Sequence, residues 1–364
     1  MEGFRACFAD LVDPRRGNAQ RHELDEIVML ALLAMVSGAE TCVDMALFGR
    51  SKEVLLRGFL RLPGGIPSHD TFSRVFRLLD PTAFEVCFAR YVAALAERTK
   101  GVVAVDGKTA RRSFDRQGGQ GPLHLISAFA CDTRLALGQR KVDGKSNEIT
   151  AVPELLALLT LDGCIVTADA MHCQKATARA IVERGGDYVL AVKGNQRTLL
   201  EDIQLLLDDP DAAPDDTAQT VDGNHGRIET RQAAVLHDVA WLAEQHGFPG
   251  LAAVGKVEAT REIDGKATTA NRYYVLSTPL AAARFLDVVR AHWHVENRLH
   301  WVLDVVMDED QSRARKDNGP ENLARLRRFA LNILRANQEK GSTRGKIKRA
   351  AWDNAFLLQL LAAA

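Results

Sequence analysis

The sequence predicts a mixed α/β fold, and three observations carry that prediction. Residues 1 to 98 follow a helical apolar spacing, short apolar runs between Gly-rich or charged turns begin at Gly101, and a long helical stretch resumes at Ala281. A chain of 364 residues can bury a large core without disulfide or metal staples. Its 46% apolar and 26% charged content is that of an ordinary globular protein, which excludes fibrous and disordered classes.

In the first region an amphipathic stretch starts at Glu23, turns near Gly38, and is followed by a second helical stretch over Glu53 to Leu60. The longest apolar run, IVMLALLAMVSGA at 27 to 39, is too short for a membrane span and reads as a buried helix. LPGGIPSH then breaks the pattern. After it, Ser68 or Asp70 can cap a helix with Phe72, Val75, Phe76 and Leu79 on one side and Arg74 and Arg77 on another. Short helices joined by tight turns could read DNA, or could form a bundle that only packs.

From Gly101 the runs VVAVDGK, LHLISAFAC and LALGQRKVD suggest a three-strand meander. A helix over Glu148 to Leu161, a buried strand CIVTADA, a helix over Gln174 to Arg184 and a strand DYVLAVK follow. The order β-β-β-α-β-α-β is that of an RNase H-like mixed sheet flanked by helices. Beyond Gly194 a helix near Leu199 to Leu207 leads into the acidic loop DDPDAAPDD and the β-like segments RIETRQAAVL, LAAVGKVEATRE and RYYVLST. The chain therefore divides into a helical N-terminal domain, 1–98, and an RNase H-like domain, 99–364, with a β-rich insertion at about 195–279 before the last helix of the core, and a basic helical tail, 311–364.

Six cysteines are scattered singly with no CxxC, which reads as reduced, mostly buried thiols. The N-terminus has no basic and apolar leader, so the expected location is cytoplasmic, on the nucleoid when bound to DNA. Gln311 to Arg349 holds 12 Lys and Arg against 3 Asp and Glu, in a chain that balances overall. Such a stretch is either a phosphate-backbone contact, to which Arg327 and Arg328 would contribute, or a solvated helix face.

The segment HWHVENRLHW poses the chemical question. On an ideal helix Phe285, Val289, Trp293, Leu299 and Leu303 surround Glu296, which places a carboxylate on the apolar face. That position is unfavourable unless a cation compensates it. Asp106 in VVAVDGK and Asp169 in IVTADAMH each end a strand-like run. If the two strands are neighbours, their carboxylates meet at the sheet and the helix of Glu296 crosses them. Three acids at one point repel unless divalent cations lie between them, and oxygen ligands suit two Mg2+ or Mn2+ ions poised for phosphodiester chemistry. Each residue also has a plainer reading: Asp106 as a turn residue before Gly107, Asp169 as a helix cap, Glu296 as the partner of Arg290 or His300. Asp304, Asp308, Glu309 and Asp310, off the apolar face or at the helix end, are rival carboxylates. Lys108, on the strand face of Asp106, and Lys193 are the first candidates to hold a phosphate. His172, Arg227 and Arg231 come after them, while Trp293 and Trp301 are expected in the core.

The segments VVAVDGKTARRS, IVTADAMHCQ, DYVLAVKGNQRTL, HGRIETR, HWHVENRLHWVLDV and NLARLRRFALNILR, with GIPSHDTFSRVF near the N-terminus, resemble those of DDE transposases of the ISAs-type insertion-sequence group, the H-repeat-associated proteins. The resemblance runs over essentially the whole chain. It implies that Asp106, Asp169 and Glu296 are the catalytic and metal-binding acids, that Glu296 lies on the last catalytic helix, and that the chain, at least a dimer on DNA, binds terminal inverted repeats, cuts there and joins the 3′ hydroxyls to target DNA. Broader cut-and-paste relatives carry Tyr, Arg and Lys where this chain has Val289, His292 and Leu303, so the hairpin chemistry tied to that signature is not implied. A repeat-binding protein without catalysis and a metal-dependent nuclease that never joins strands are the competing readings.

Overall fold

The computed structural model describes residues 2–17, 20–95, 100–115, 119, 121–142, 148–209, 213–224 and 227–362. The expected domain boundary at residue 98 lies outside the described residues, as does part of the acidic loop. The N-terminal helices are α1 (Glu2–Phe8), α2 (Leu24–Val36), α3 (Cys42–Ser51), α4 (Glu53–Leu56), α5 (His69–Leu78) and α6 (Pro81–Leu95). The strands are β1 (Gly101–Thr109), β2 (His124–Ala130), β3 (Leu135–Val142), β4 (Cys164–Ala168), β5 (Asp187–Val192), β6 (Asp216–Asn224), β7 (Arg227–Leu236), β8 (Ala253–Ile263) and β9 (Lys266–Leu276). The remaining helices are α7 (Glu148–Leu156), α8 (Lys175–Val182), α9 (Arg197–Leu207), α10 (Ala240–His246), α11 (Ala282–His292), α12 (Trp301–Val305), α13 (Gly319–Ala336), α14 (Thr343–Trp352) and α15 (Asn354–Ala362).

All strands join one mixed sheet in the order β3-β2-β1-β4-β5-β9-β8-β7-β6. β1, β2 and β3 form the antiparallel meander, while β1-β4 and β4-β5 are parallel. Parallel neighbours need a crossover, and α8 supplies it between β4 and β5. β1 is central, which explains a VVAV run buried on both faces. The segment predicted as an insertion does not form a separate body: β9 pairs antiparallel with β5, so its strands extend the same sheet. Its β8-β9 hairpin turns at Asp264 and Gly265, both in the left-handed region (φ 50° and 71°), as a two-residue turn between twisted strands requires.

Ser68 accepts the Thr71 N–H and caps α5, which buries Phe72, Val75 and Phe76. α2 buries nearly every residue, as its apolar run predicts. The long helix expected from Ala281 is broken: a π-helical turn, Val295–His300, separates α11 from α12. One helix of the basic tail also departs from expectation, while Arg313, Arg315, Lys316, Arg344, Lys348 and Arg349 on either side of it are exposed. α13 is buried against the N-terminal helices on one side and β3 on the other, with Phe329 ringed by Phe8, Phe84, Phe88 and Tyr91. Its polar residues are structural: the Asn332 amide donates to the Ala136 carbonyl at 2.8 Å and accepts its N–H at 2.9 Å, and Asn322 donates to the Phe76 and Leu79 carbonyls.

Arg325 and Glu85 form a buried ion pair between α13 and α6, and Glu85 also accepts the Gln139 N–H at 3.1 Å. Removing Glu85 leaves the buried Arg325 guanidinium with only the edge partner Glu321, at 3.2 Å, to offset its charge. Glu85→Ala should therefore lower unfolding stability by about 3–5 kcal/mol in urea titrations, and replacing both partners by Leu and Met should recover most of the loss. Equal losses in the single and double variants would show that the pair does not tie the helices together.

Candidate active site

β1 and β4 run parallel with Val105 opposite Ala168, so the next residue on each strand line, Asp106 and Asp169, falls in one row on neighbouring strands. Parallel strands about 4.8 Å apart point such a pair to the same face. β1 continues through Gly107 to Thr109, so Asp106 is not a turn residue, and Asp169 makes no side-chain cap to the short 3-10 turn that follows it. Gly107 has another reason to be glycine. A side chain there would stand 3.0 Å from His124 Nε2 and 3.1 Å from Glu148 Oε2.

The third acid comes from the π turn. The Trp301 N–H bonds the Glu296 carbonyl five residues back, and the wider turn shifts the residues after it out of α-helical phase. Val295, Leu299 and Leu303 keep the core contacts, and Glu296 is turned outward with a half-exposed side chain. The expected placement on the apolar face is thus corrected: the carboxylate sits at the open edge of the core, above Asp106. Trp293 and Trp301, expected inside, are exposed beside it by 50% and 56%, with Arg272 over the Trp293 ring. Arg290 pairs with Asp222 at 2.9 Å and not with Glu296.

The Asp106 and Glu296 carboxyls lie side by side, and His300 Nδ1 is 3.6 Å from Asp106 and 3.5 Å from Glu296. Burial, then the adjacent Glu296 carboxyl and its charge, push the Asp106 carboxyl up to about 8. The His300 imidazole holds Glu296 below its usual range. A carboxyl pushed up beside one held low means that the two titrate as a pair. Asp169 is held low first by the His292 ring, whose Nε2 is 3.7 Å away, and also by Lys193. Thr167 Oγ1 fixes that ring through Nδ1 at 3.1 Å. One donor atom each from Asp106, Glu296 and His300 fall within 4.8 Å of one another, and Asp169, on the neighbouring strand line, adds its charge to the Asp106 carboxyl from outside that group. Crowded acids of this kind are a donor set suited to a divalent cation, and oxygen with one nitrogen fits Mg2+ or Mn2+. Two histidines flanking Glu296 at four-residue spacing were the available sequence signal for His292 and His300, but histidine spacing alone does not distinguish ligand from packing.

The remaining expected residues divide by burial. The Lys108 ammonium, 8% exposed, is taken by Asp304 at 2.7 Å and by Glu309 and Asp310 at 3.3 Å, which removes it from the phosphate-holding role expected of it. Arg328 is wholly buried on Glu309 and the Ala324 carbonyl, and Arg327 is buried with a bond to the Glu40 carbonyl. Neither guanidinium reaches the surface, so the expected DNA contact by Arg327 and Arg328 is corrected. His172 is also buried, 3.4 Å from Glu148, which lies 2.8 Å from His124. That ring bonds Thr109 at 2.7 Å. The expected DNA contact at His172 is replaced by an internal brace between the turn after Asp169 and the end of β1. Lys193 is exposed at the end of β5. Arg227 and Arg231 share a strand face but both pair with Glu229, and Arg231 also meets Asp222 at 2.6 Å.

The profile of the Transposase DDE domain family matches residues 71–333, and that of the DDE_Tnp_1-associated family matches residues 5–92. A protein from the dhlA 3′ region of Xanthobacter autotrophicus is 46% identical over 74% of this chain and 93% of its own length. From Escherichia coli K12, YbfL is 38% identical over 96% of this chain and 95% of its own. YhhI of the same strain, an H repeat-associated candidate transposase, is 38% identical over 94% and 93%. A cryo-EM structure of a piggyBac transposase synaptic complex with hairpin DNA overlaps at 12% identity with a TM-score of 0.47, over 99% of this chain and 77% of that one, too loosely to carry an inference.

The raised Asp106 pKa gives a pH signature. The folded chain binds that proton more tightly than the unfolded chain, so without metal its stabilising effect is lost as pH rises from 3.8 to about 8. Asparagine carries no such dependence. In chelator, the melting temperature of Asp106→Asn relative to wild type should climb across that window and level off above it; a difference flat with pH would contradict the assignment.

Proposed function

The chain belongs to the DDE transposase family, among its H repeat-associated members, and from that premise we propose that it is an insertion-sequence transposase that binds terminal inverted repeats, cleaves DNA at the element ends and transfers the 3′ hydroxyls to target DNA. The observation that supports this reading is that Asp106 and Asp169 fall in one row of two neighbouring parallel strands while the π turn sets Glu296 beside Asp106. In it β1 to β5 are the RNase H-like catalytic core, and the helices before residue 98 contribute to recognising the ends.

Asp106, Asp169 and Glu296 would hold two Mg2+ or Mn2+ ions, which when bound supply an activated water or 3′ hydroxyl and a stabilised leaving oxygen. The protein's own part is positional. His292 keeps Asp169 ionised, the π turn brings Glu296 over Asp106, and the Glu148 brace fixes the segments carrying both aspartates. Lys193 beside Asp169 is the basic residue best placed to meet a DNA strand, with the half-exposed Arg227 farther along the insertion. No helix of the described residues is long and apolar enough to cross a membrane. Since both element ends must be held together, the active form is a dimer or larger, working in the bacterial cytoplasm where the DNA lies.

The test uses the full chain, duplex DNA bearing the inverted repeats that flank its reading frame, and a target plasmid. Magnesium or manganese should support both end cleavage and joined products, and Glu296→Gln should reduce both to background while end binding persists. Cleavage without joining would identify a nuclease, and binding without cleavage a repeat-binding protein. Cleavage surviving in chelator or in Glu296→Gln would overturn the reading.

A further inference from the structure

We propose that His300 is a direct nitrogen donor to the cation held by Asp106 and Glu296, so that this position of the site is built for Mn2+ in preference to Mg2+. The inference rests on the metal-binding reading above. Its ground is the geometry of three side chains that approach one another without touching as hydrogen-bond partners should. His300 Nδ1 stands 3.6 Å from Asp106 Oδ2 and 3.5 Å from Glu296 Oε2. An imidazole placed only to hydrogen-bond a carboxylate would lie at about 2.7–3.2 Å. Donors sharing one ion at about 2.1–2.2 Å stand roughly 3 Å apart when adjacent and roughly 4.4 Å apart when opposite. The observed separations fall between those limits.

The ring is also held in place. His300 is 4% exposed, closes the π turn, and follows Leu299, which is wholly buried. Residues 296 and 300 are four apart, a spacing that keeps two side chains on one face of a helical turn, and here that face is turned to Asp106 on β1. His292 has a different setting, since its Nδ1 is taken by Thr167 and its Nε2 meets one carboxylate only. Replacing one oxygen of a hard, all-oxygen site by imidazole nitrogen moves the preference from Mg2+ toward the later divalent metals, of which Mn2+ keeps the octahedral coordination the carboxylates favour.

Pulsed EPR of the full-length protein loaded with Mn2+ decides the matter. The wild-type spectrum should show nuclear modulation from a directly bound imidazole nitrogen, shifted in pattern when the histidines are labelled with 15N. His300→Gln should lose that modulation and bind Mn2+ about tenfold or more weakly, whereas His292→Gln should keep it. Bound Mn2+ with no nitrogen modulation in the wild type, or modulation unchanged in His300→Gln, would overturn the role of His300 while leaving the carboxylate site standing. Failure of the wild type to bind Mn2+, or binding that Asp106→Asn does not weaken, would overturn the metal site itself.

Discussion

Repulsion between carboxylates held at one point is the constraint to which the rest of this structure answers. Asp106 is largely buried beside Glu296, and Asp169 adds its field from the neighbouring strand, which together push the Asp106 carboxyl well above the usual carboxylate range. A chain folding for stability alone would let these side chains separate. Here each is fixed from behind. The parallel register of β1 and β4 aligns the two aspartates, His292 holds Asp169, and buried Val295 and Leu299 anchor the π turn that carries Glu296. Such a frame is unfavourable when empty of cations, and on the proposed reading bound divalent cations would relieve it.

Behind that face lies a second layer of charge with the opposite sign of purpose. Lys108 gathers Asp304, Glu309 and Asp310 and so pins α12 and the turn after it to β1. Arg328 completes the cluster on Glu309, and its neighbour Arg327 reaches the Glu40 carbonyl among the N-terminal helices. Arg325 and Glu85 join α13 to α6. The tail's arginines thus connect the helical region to the strand bearing Asp106, and the Asp222 pairs with Arg231 and Arg290 connect the inserted strands to α11. Packing, polar bonding and the site's geometry are properties of one sheet with α13 against its back.

Much of this was legible in the residues. Runs of small and β-branched residues ending in Asp106 and Asp169 gave both strands, since an apolar run closed by a carboxylate has few other uses in a central strand. The α2 and α5 helices followed from apolar spacing and the Ser68 cap. The position of Glu296 did not follow, because periodicity assumes a constant turn and one π turn, invisible in composition, rotates the residues beyond it. The fates of Lys108, Arg327 and Arg328 were hidden for another reason. Charge counts say nothing of burial, and the acids that neutralise these residues lie far away in sequence or on a turn that only the folded chain brings near.

The most direct measurement of the central claim is the change in melting temperature on adding Mn2+ to the full-length chain and to Asp106→Asn, Asp169→Asn and Glu296→Gln. Binding to the folded state alone raises stability with ligand concentration. If the three carboxylates form one site, the wild type gains several degrees and every variant loses most of that gain, whatever its stability without metal. An undiminished rise in all three variants would mean that the cation binds elsewhere and that the meeting of these acids is not a metal site.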